Sequence, residues 1–564
     1  MMDLQRGILL ISAISAIAGA CPNECLCRDN KVLCQGRLVT EFPSAIPADT
    51  SALLISNANI STLKPSDFTD FAESITFFAV RDTDLKEVLQ NTFDRTVNLI
   101  KLYLQRTQLV TFPEDVFQTL QSLQELLLNE GNLQALPPTL LSPLKELLEL
   151  DLSKNQLAAV PDTAFSGLHQ LRYLRLNKNL LEELPANSFD DLENLEVLAL
   201  QDNHITQLPA DLFSNVQNLK SLYLSGNRIS VLPDGIFANL PNLTRLPLYS
   251  NELQELSRGI FGPMLIDDLW LYDNKLTRLE DGVFSNLTNV KLLVLSRNQI
   301  ESVSVGAFSG MIGLQEISLH TNRITNLEKG TFSGLPKLAN ISLEHNNIES
   351  ISGDVLYGVS HLHQLDLRNN SLQHLDPDFL DALQVVDEVL LVSNPWKCDK
   401  DIVPFRDWLI KFPQKVPNIE ALVCQTPFAH AGSLIRNLPE EHVIEPTTQT
   451  PTVSDYSVVT NTVTDDSEVT PTDMRRKPHT PPAKRSTLPP AVASTTTKPN
   501  EVEGATTGPE SNTSQIEDSH WIIIAIVGTA VIVSAILGVA FWKRHKRDSR
   551  DLNRRSKSNS NSVI

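Results

Sequence analysis

Residues 171–194 read LRYLRLNKNLLEELPANSFDDLEN, and residues 195–218 read LEVLALQDNHITQLPADLFSNVQN. Set one above the other, Leu171, Leu174, Leu176 and Asn179 fall on Leu195, Leu198, Leu200 and Asn203. Worked outward, the frame L-x-x-L-x-L-x-x-N closes on Asn155, Asn179, Asn203, Asn227, Asn251, Asn274, Asn298, Asn322, Asn346, Asn370 and Asn394. Each interval is 24 residues, except the 23 between Asn251 and Asn274. Ten residues after most of these Asn stands a Phe, from Phe165 to Phe332.

A repeat of this length and spacing is the signature of leucine-rich repeats. The L-x-L centre reads as a short strand whose side chains alternate faces, Leu inward and the x residues outward. Stacked copies predict an α/β-type leucine-rich repeat solenoid, a horseshoe with a parallel sheet on its concave side. The Asn stands where the chain turns away, and its amide can satisfy backbone groups that the turn leaves unpaired. The Phe column fills the convex side of the core. No single repeat can bury its own apolar face, so neighbours must cover one another. Weaker copies end at Gly131, Thr107, Thr83 and Ala58, with Phe117, Phe93 and Phe68 continuing the column, which makes fifteen repeats over residues 50–394.

Residues 1–20 read as a signal peptide: Arg6, the apolar run Gly7–Gly19, then the small residues Ala18, Gly19 and Ala20. Secretion makes the six cysteines disulfide candidates. Cys21, Cys25, Cys27 and Cys34 fall in an N-terminal cap at 21–49, and Cys398 and Cys424 in a C-terminal cap at 395–444. The four N-terminal cysteines allow three pairings, and their spacing does not choose among them. It is also not a usual zinc spacing. A Cys398–Cys424 bridge would contribute on the order of 3 kcal/mol. Trp396 and Trp408 are placed to pack over the last repeat.

Residues 445–520 are rich in Thr, Ser and Pro and too poor in aliphatic residues to offset ordering entropy, so they read as an extended stalk. Trp521–Trp542 carries no charge and is long enough to span a bilayer, with Trp at both ends. Within it Ala530, Ser534 and Gly538 fall four apart, a face on which two such helices can approach closely and form a homodimer. Eight bases against Asp548 and Asp551 give the tail at 543–564 a charge of +6, while the whole chain is −20. The positive-inside rule then makes this a type I, single-pass plasma-membrane protein with an acidic exterior, which argues against nucleic acid as ligand. The closing Ser562-Val563-Ile564 suits capture by a PDZ protein.

No G-x-S-x-G, H-E-x-x-H or P-loop occurs, so no catalytic residue and no cofactor are expected. His320, His345 and His363, with Glu316 and Glu344, come nearest to a constellation, but their frame positions do not converge as metal ligands would. N-x-[ST] sequons mark Asn59, Asn242, Asn286, Asn340, Asn369 and Asn512 for glycosylation. A glycan at Asn340 or Asn369 would occupy the C-terminal part of the concave face and leave its middle for a ligand.

Outward places on that face are the third and fifth of the frame, with the seventh at the strand exit. Five of seven Tyr occupy them: Tyr103, Tyr173, Tyr223, Tyr249 and Tyr272. Trp270 does too, with Arg245 and Asp268 nearby. Trp, Tyr and Arg dominate binding hot spots, so Tyr173, Tyr223, Arg245, Tyr249, Asp268, Trp270 and Tyr272 are the candidate ligand site.

The Cys-rich start, the repeats, the opening Asn394-Pro395-Trp396-Lys397-Cys398 of the C-terminal cap and the membrane anchor together resemble the vertebrate cell-surface leucine-rich repeat proteins. Platelet glycoprotein V and the regulatory subunit of carboxypeptidase N look more distant. The resemblance implies N-cap bridges Cys21–Cys27 and Cys25–Cys34. It also implies an adhesion receptor for matrix proteins such as collagen, fibronectin or laminin. Many C-caps of the family begin C-x-C; here Lys400 takes the second place. The expected function is non-enzymatic recognition of extracellular protein on the concave face. The alternatives are a pattern-recognition receptor of innate immunity and a subunit of a platelet-type glycoprotein receptor complex.

Overall fold

A computed structural model of the protein describes residues 21–439. The leader 1–20, Asn512, the stalk, the apolar span with Ala530, Ser534 and Gly538, and the tail lie outside the described residues. Contacts divide the chain into Met1–Ser454 and Asp455–Ile564, and only the first unit contains described residues. Among the described residues no helix is long and apolar enough to cross a membrane.

Sheet formation begins in the N-terminal cap. The antiparallel hairpin Cys25–Arg28/Lys31–Gln35 hands its second strand to Ala52–Ser56, and every later pairing along the array is parallel. Disulfides join Cys21 to Cys27 and Cys25 to Cys34. Nine of the repeat strands are three residues long, Glu149–Asp151 and Tyr173–Arg175 among them. They cover the third to fifth places of the frame, one place earlier than the L-x-L reading. The eighth place is left-handed in every repeat, from Asn57 through Asp202 and Gly226 to Ser393, and turns the chain out of the sheet. A left-handed non-glycine residue costs about 1 kcal/mol or more.

The Asn ladder holds that costly turn. Asn203 Nδ2 donates to the carbonyls of Leu176 and Leu200 at 3.0 and 2.9 Å, and its Oδ1 accepts from the Leu181 amide at 3.2 Å. Each such amide ties its own repeat to the one before, inside the core and away from competing water. On the far side, eight Phe from Phe165 to Phe332 form one file of near-parallel rings with centroids 5.9–6.4 Å apart. The frame Leu and this file make a continuous buried core.

The sheet is nonetheless two sheets. Ten strands run from Cys25–Arg28 to Ser221–Tyr223, and six from Asp268–Trp270 to Val386–Leu390. The repeat between them keeps only isolated bridges, Ser221 to Arg245 and Pro247 to Trp270. Pro247 has no N–H to give, so it removes a ladder bond from the middle of its strand. The one-residue-short repeat follows directly. At the C-terminal end the helix Val403–Lys411 closes the core: Trp396 packs on Phe405 with centroids 4.8 Å apart, Trp408 lies 6.5 Å from the same ring, and Cys398 bonds to Cys424.

Candidate functional site

Around the seam the register fixes a grid of side chains on the sheet face. The third places read Ser221, Arg245, Asp268, Leu292; the fifth, Tyr223, Pro247, Trp270, Val294; the seventh, Ser225, Tyr249, Tyr272, Ser296. Neighbours along a row are about 4.8 Å apart. Pro247 is buried although it faces outward, because Tyr223 and Trp270 flank it in the same row. Trp270 keeps 38% of its surface exposed. Tyr249 and Tyr272 stack face to face, centroids 4.6 Å apart and planes within 5°. Burial first, then the neighbouring Tyr249 and Asp273, push the Tyr272 hydroxyl up to about 12, so it stays a protonated donor at neutral pH.

The polar ends of this patch have no partners. Tyr223, Arg245, Tyr249, Asp268, Trp270 and Tyr272 make no side-chain hydrogen bond or ion pair among the described residues. Elsewhere on the face most charges pair internally, Glu316 excepted. Lys101 pairs with Glu125 at 2.7 Å, Arg175 with Glu149, Lys220 with Glu196 at 2.8 Å, and Arg368 with Glu344 at 2.7 Å. Tyr103 gives its hydroxyl to Glu125. Along the rim of eighth places Arg106 bridges Asp82 and Glu130, and Lys154 continues to Glu130 at 2.8 Å. That rim falls neutral at Gly226 and Ser250, beside the aromatic patch. Asp268 has Asp267 next to it, and the one nearby ammonium, Lys291, sits 3.0 Å from Asp267. Burial first, and Asp267 second, hold the Asp268 carboxyl above the usual range.

Six of the seven candidate residues are thus brought together on three consecutive repeats. Tyr173 is not among them: the strand Val197–Ala199 separates it from Ser221–Tyr223, and Arg172 lies 5.8 Å over its ring. Pro247 belongs to the patch and was missed, although its place in the frame was readable. Of the sequons, Asn59, Asn242 and Asn286 are exposed, their amides donating to the Arg37, Gln217 and Phe261 carbonyls. Asn340 is half-buried in the strand Asn340–Ser342 with an enclosed, unpartnered Oδ1. Asn369 sits left-handed on the rim, 3.3 Å from His345 Nε2.

His320, His345 and His363 do not gather: their ring nitrogens lie against Thr321, Asn369 and Asp387 respectively. His374, Asp399 and Asp401 do, with ligand atoms within 4.8 Å of one another where the last repeat meets the cap. Lys397 already neutralises Asp399 from 2.7 Å. No spacing in the sequence signals that group, because it forms across a turn of the solenoid.

A family profile described as "Leucine rich repeat" matches overlapping stretches from 121–181 to 336–395, and one described as "BspA type Leucine rich repeat region (6 copies)" matches 52–140. The chain belongs to the leucine-rich repeat family. Within that family it is similar to human leucine-rich repeat-containing protein 52, 32% identical over 89 residues, which is 15% of this chain and 28% of the relative. The human platelet glycoprotein Ib beta chain is 39% identical over 67 residues, 12% of this chain and 32% of the relative. The chain thus matches under a third of the length of these curated relatives. A leucine-rich repeat protein of Leptospira interrogans superposes with a TM-score of 0.51 at 26% identity, covering 68% of this chain and 94% of that one. The Toll–Spatzle complex of Drosophila gives 0.53 at 24%, covering 73% and 60%, a likeness of fold.

Proposed function

We propose that this leucine-rich repeat protein is a non-enzymatic cell-surface receptor that captures an extracellular protein on its sheet face. The observation that carries this reading is the patch Tyr223, Tyr249, Trp270 and Tyr272. Its polar tips are free on a face where Arg175 pairs with Glu149 and Arg368 with Glu344, though Glu316 is also unpaired among the described residues. Trp270 is exposed and the three Tyr are half-buried on a rigid sheet, and such aromatics are what protein interfaces use as anchors. The Cys-rich start, the repeats and the cap opening Asn394-Pro395-Trp396-Lys397-Cys398 also resemble leucine-rich repeat-containing protein 15, a likeness that supports matrix proteins such as collagen, fibronectin or laminin as ligands. The apolar Trp521–Trp542 followed by eight bases supports a type I anchor in the plasma membrane, and within it the small-residue face supports pairing of two copies. The ending Ser562-Val563-Ile564 supports a PDZ partner inside the cell.

Cells displaying the full chain, tested for adhesion to coated matrix proteins, check the reading. Trp270→Ala and Tyr223→Ala should each weaken capture by about 1–2 kcal/mol with surface expression unchanged. Wild-type adhesion by both variants would move the site elsewhere. A second reading, a subunit of a platelet-type receptor complex, is favoured by the 39% identity to glycoprotein Ib beta. It requires a stable membrane partner to co-purify with the chain.

A further inference from the structure

Resting on that reading of the face, we infer that the patch accepts a single-stranded, proline-rich segment of a partner protein, running along the solenoid axis with a basic residue at Asp268. The geometry supports this through spacing. Tyr223 and Trp270 lie in one row two repeats apart, with Pro247 buried between them. Two strand spacings are about 9.6 Å. A polyproline II helix advances about 9.3 Å in three residues. Prolines three apart therefore fall over Tyr223 and Trp270 in succession, and Pro247 makes the floor between them flat and apolar.

Hydrogen-bond supply selects the same occupant. The patch offers outward donors, the Trp270 indole N–H and the hydroxyls of Tyr223, Tyr249 and Tyr272, none of which has a partner. A helix keeps its carbonyls for itself. A sheet edge needs a backbone to pair with, and this face presents side chains. A polyproline II segment has no internal hydrogen bonds, so its carbonyls remain open to such donors. It also arrives already ordered, which lowers the entropy lost on docking. Charge supplies the last element. Lys291 lies 3.0 Å from Asp267, which leaves Asp268 without an ion pair although the unpaired Arg245 stands beside it in the row. A guanidinium there can bind the carboxylate and lie against the Trp270 ring.

The test uses the full chain in detergent micelles and fluorescein-labelled peptides, read by anisotropy. An oligomer of Pro-Pro-Arg should bind at least about tenfold more tightly than a Gly-Ser-Arg oligomer of equal charge and length, and than a Pro-Pro-Glu oligomer. Trp270→Ala should lose about tenfold for Pro-Pro-Arg. Asp268→Asn should keep binding but level Pro-Pro-Arg with Pro-Pro-Glu. Equal binding of the Pro-Pro-Arg and Gly-Ser-Arg peptides would reduce the effect to net charge and overturn the inference. So would insensitivity to Trp270→Ala, or capture of a triple-helical Pro-Hyp-Gly probe in place of the single strand. If Trp270→Ala abolishes adhesion of cells while no proline peptide binds, the face is a receptor site and this ligand class is wrong.

Discussion

Arg245 and Asp268 stand in the same row on neighbouring repeats, opposite in charge, and do not form an ion pair. Elsewhere on this face Arg175 pairs with Glu149 and Arg368 with Glu344. This unpaired couple falls at the seam where the sheet loses its ladder.

Asp268 is therefore a residue that folding does not favour. Its carboxyl is held above the usual range, by burial first and Asp267 second. A carboxyl raised in the folded state binds its proton more tightly there than in the unfolded chain. Stability then falls as pH rises through the unfolded and folded values, and the full penalty stands at neutral pH. Asp268→Asn should match or slightly exceed wild type in thermal stability at neutral pH, within about 0.5 kcal/mol. The difference should vanish in acid, while the preference for a basic over an acidic ligand is lost at neutral pH. A clear loss of neutral stability would show that Asp268 has a structural role.

Pro247→Val restores an N–H opposite the Leu222 carbonyl, between the existing bonds from the Arg245 amide to Lys220 O and from the Leu224 amide to Pro247 O. The added bond should stabilise by about 1 kcal/mol and slow amide exchange across residues 244–250. The same change removes the flat floor between Tyr223 and Trp270, so ligand capture should fall. Unchanged exchange would place the seam's cause in the shortened repeat that follows.

The Asn ladder predicts unequal costs for similar truncations. Asn203→Ala leaves the Leu181 amide without its partner and takes one of two amide donors from each of the Leu176 and Leu200 carbonyls, which keep Asn179 and Asn227. It should cost about 1–3 kcal/mol. Thr107 occupies the same place in a weaker repeat without such a set of bonds. Thr107→Ala should cost less than about 1 kcal/mol. Chemical unfolding of the two variants measures the contrast.

The rim ladder sets an acid response. Asp82 is pulled below the usual carboxylate range, first by its hydrogen bond to Arg106, and Glu130 is lowered first by Lys154 and also by Arg106. Carboxyls lowered in the folded state contribute stability that is complete above their unfolded values and is lost as pH falls through the folded ones. These groups are partly exposed, so the total is modest, about 1 kcal/mol at most. Arg106→Gln should lower the melting temperature near neutrality, less so at high salt, and hardly at all in strong acid. An equal loss at every pH would point to packing of the Arg106 stem.

What the sequence disclosed follows from periodicity. Leu198, Phe189 and Asn203 recur at fixed spacing because each must meet its counterpart in the next turn, and a linear pattern records that requirement directly. The rows of the face were readable for the same reason, and Tyr223, Tyr249, Trp270 and Tyr272 came out of the frame together. Pro247 was legible too, since a proline at the fifth place cannot donate to a ladder, but the pattern of Leu around it concealed the break. Whether Arg245 reaches Asp268 depends on rotamers and local sheet spacing, which no period encodes. His374, Asp399 and Asp401 meet because the final turn brings the cap against the last repeat, a junction that occurs once and so leaves no repeating signal.

Every ladder Asn reaches backward: Asn155 accepts from Leu133, Asn179 from Leu157, Asn274 from Leu253. A repeat is thus completed by its successor, and the array has a direction. A gene duplication that inserts one whole unit leaves each reach intact, because the newcomer completes the unit before it and is completed by the one after. The interval from Asn251 to Asn274 shows that even a shortened unit passes, since the Leu253 amide still finds Asn274 at 3.1 Å. The array can therefore lengthen or shorten by inheritance anywhere along its middle. Only its final unit has no successor, and there Asn394, which serves both Asn370 and Leu372, leads straight into the cap.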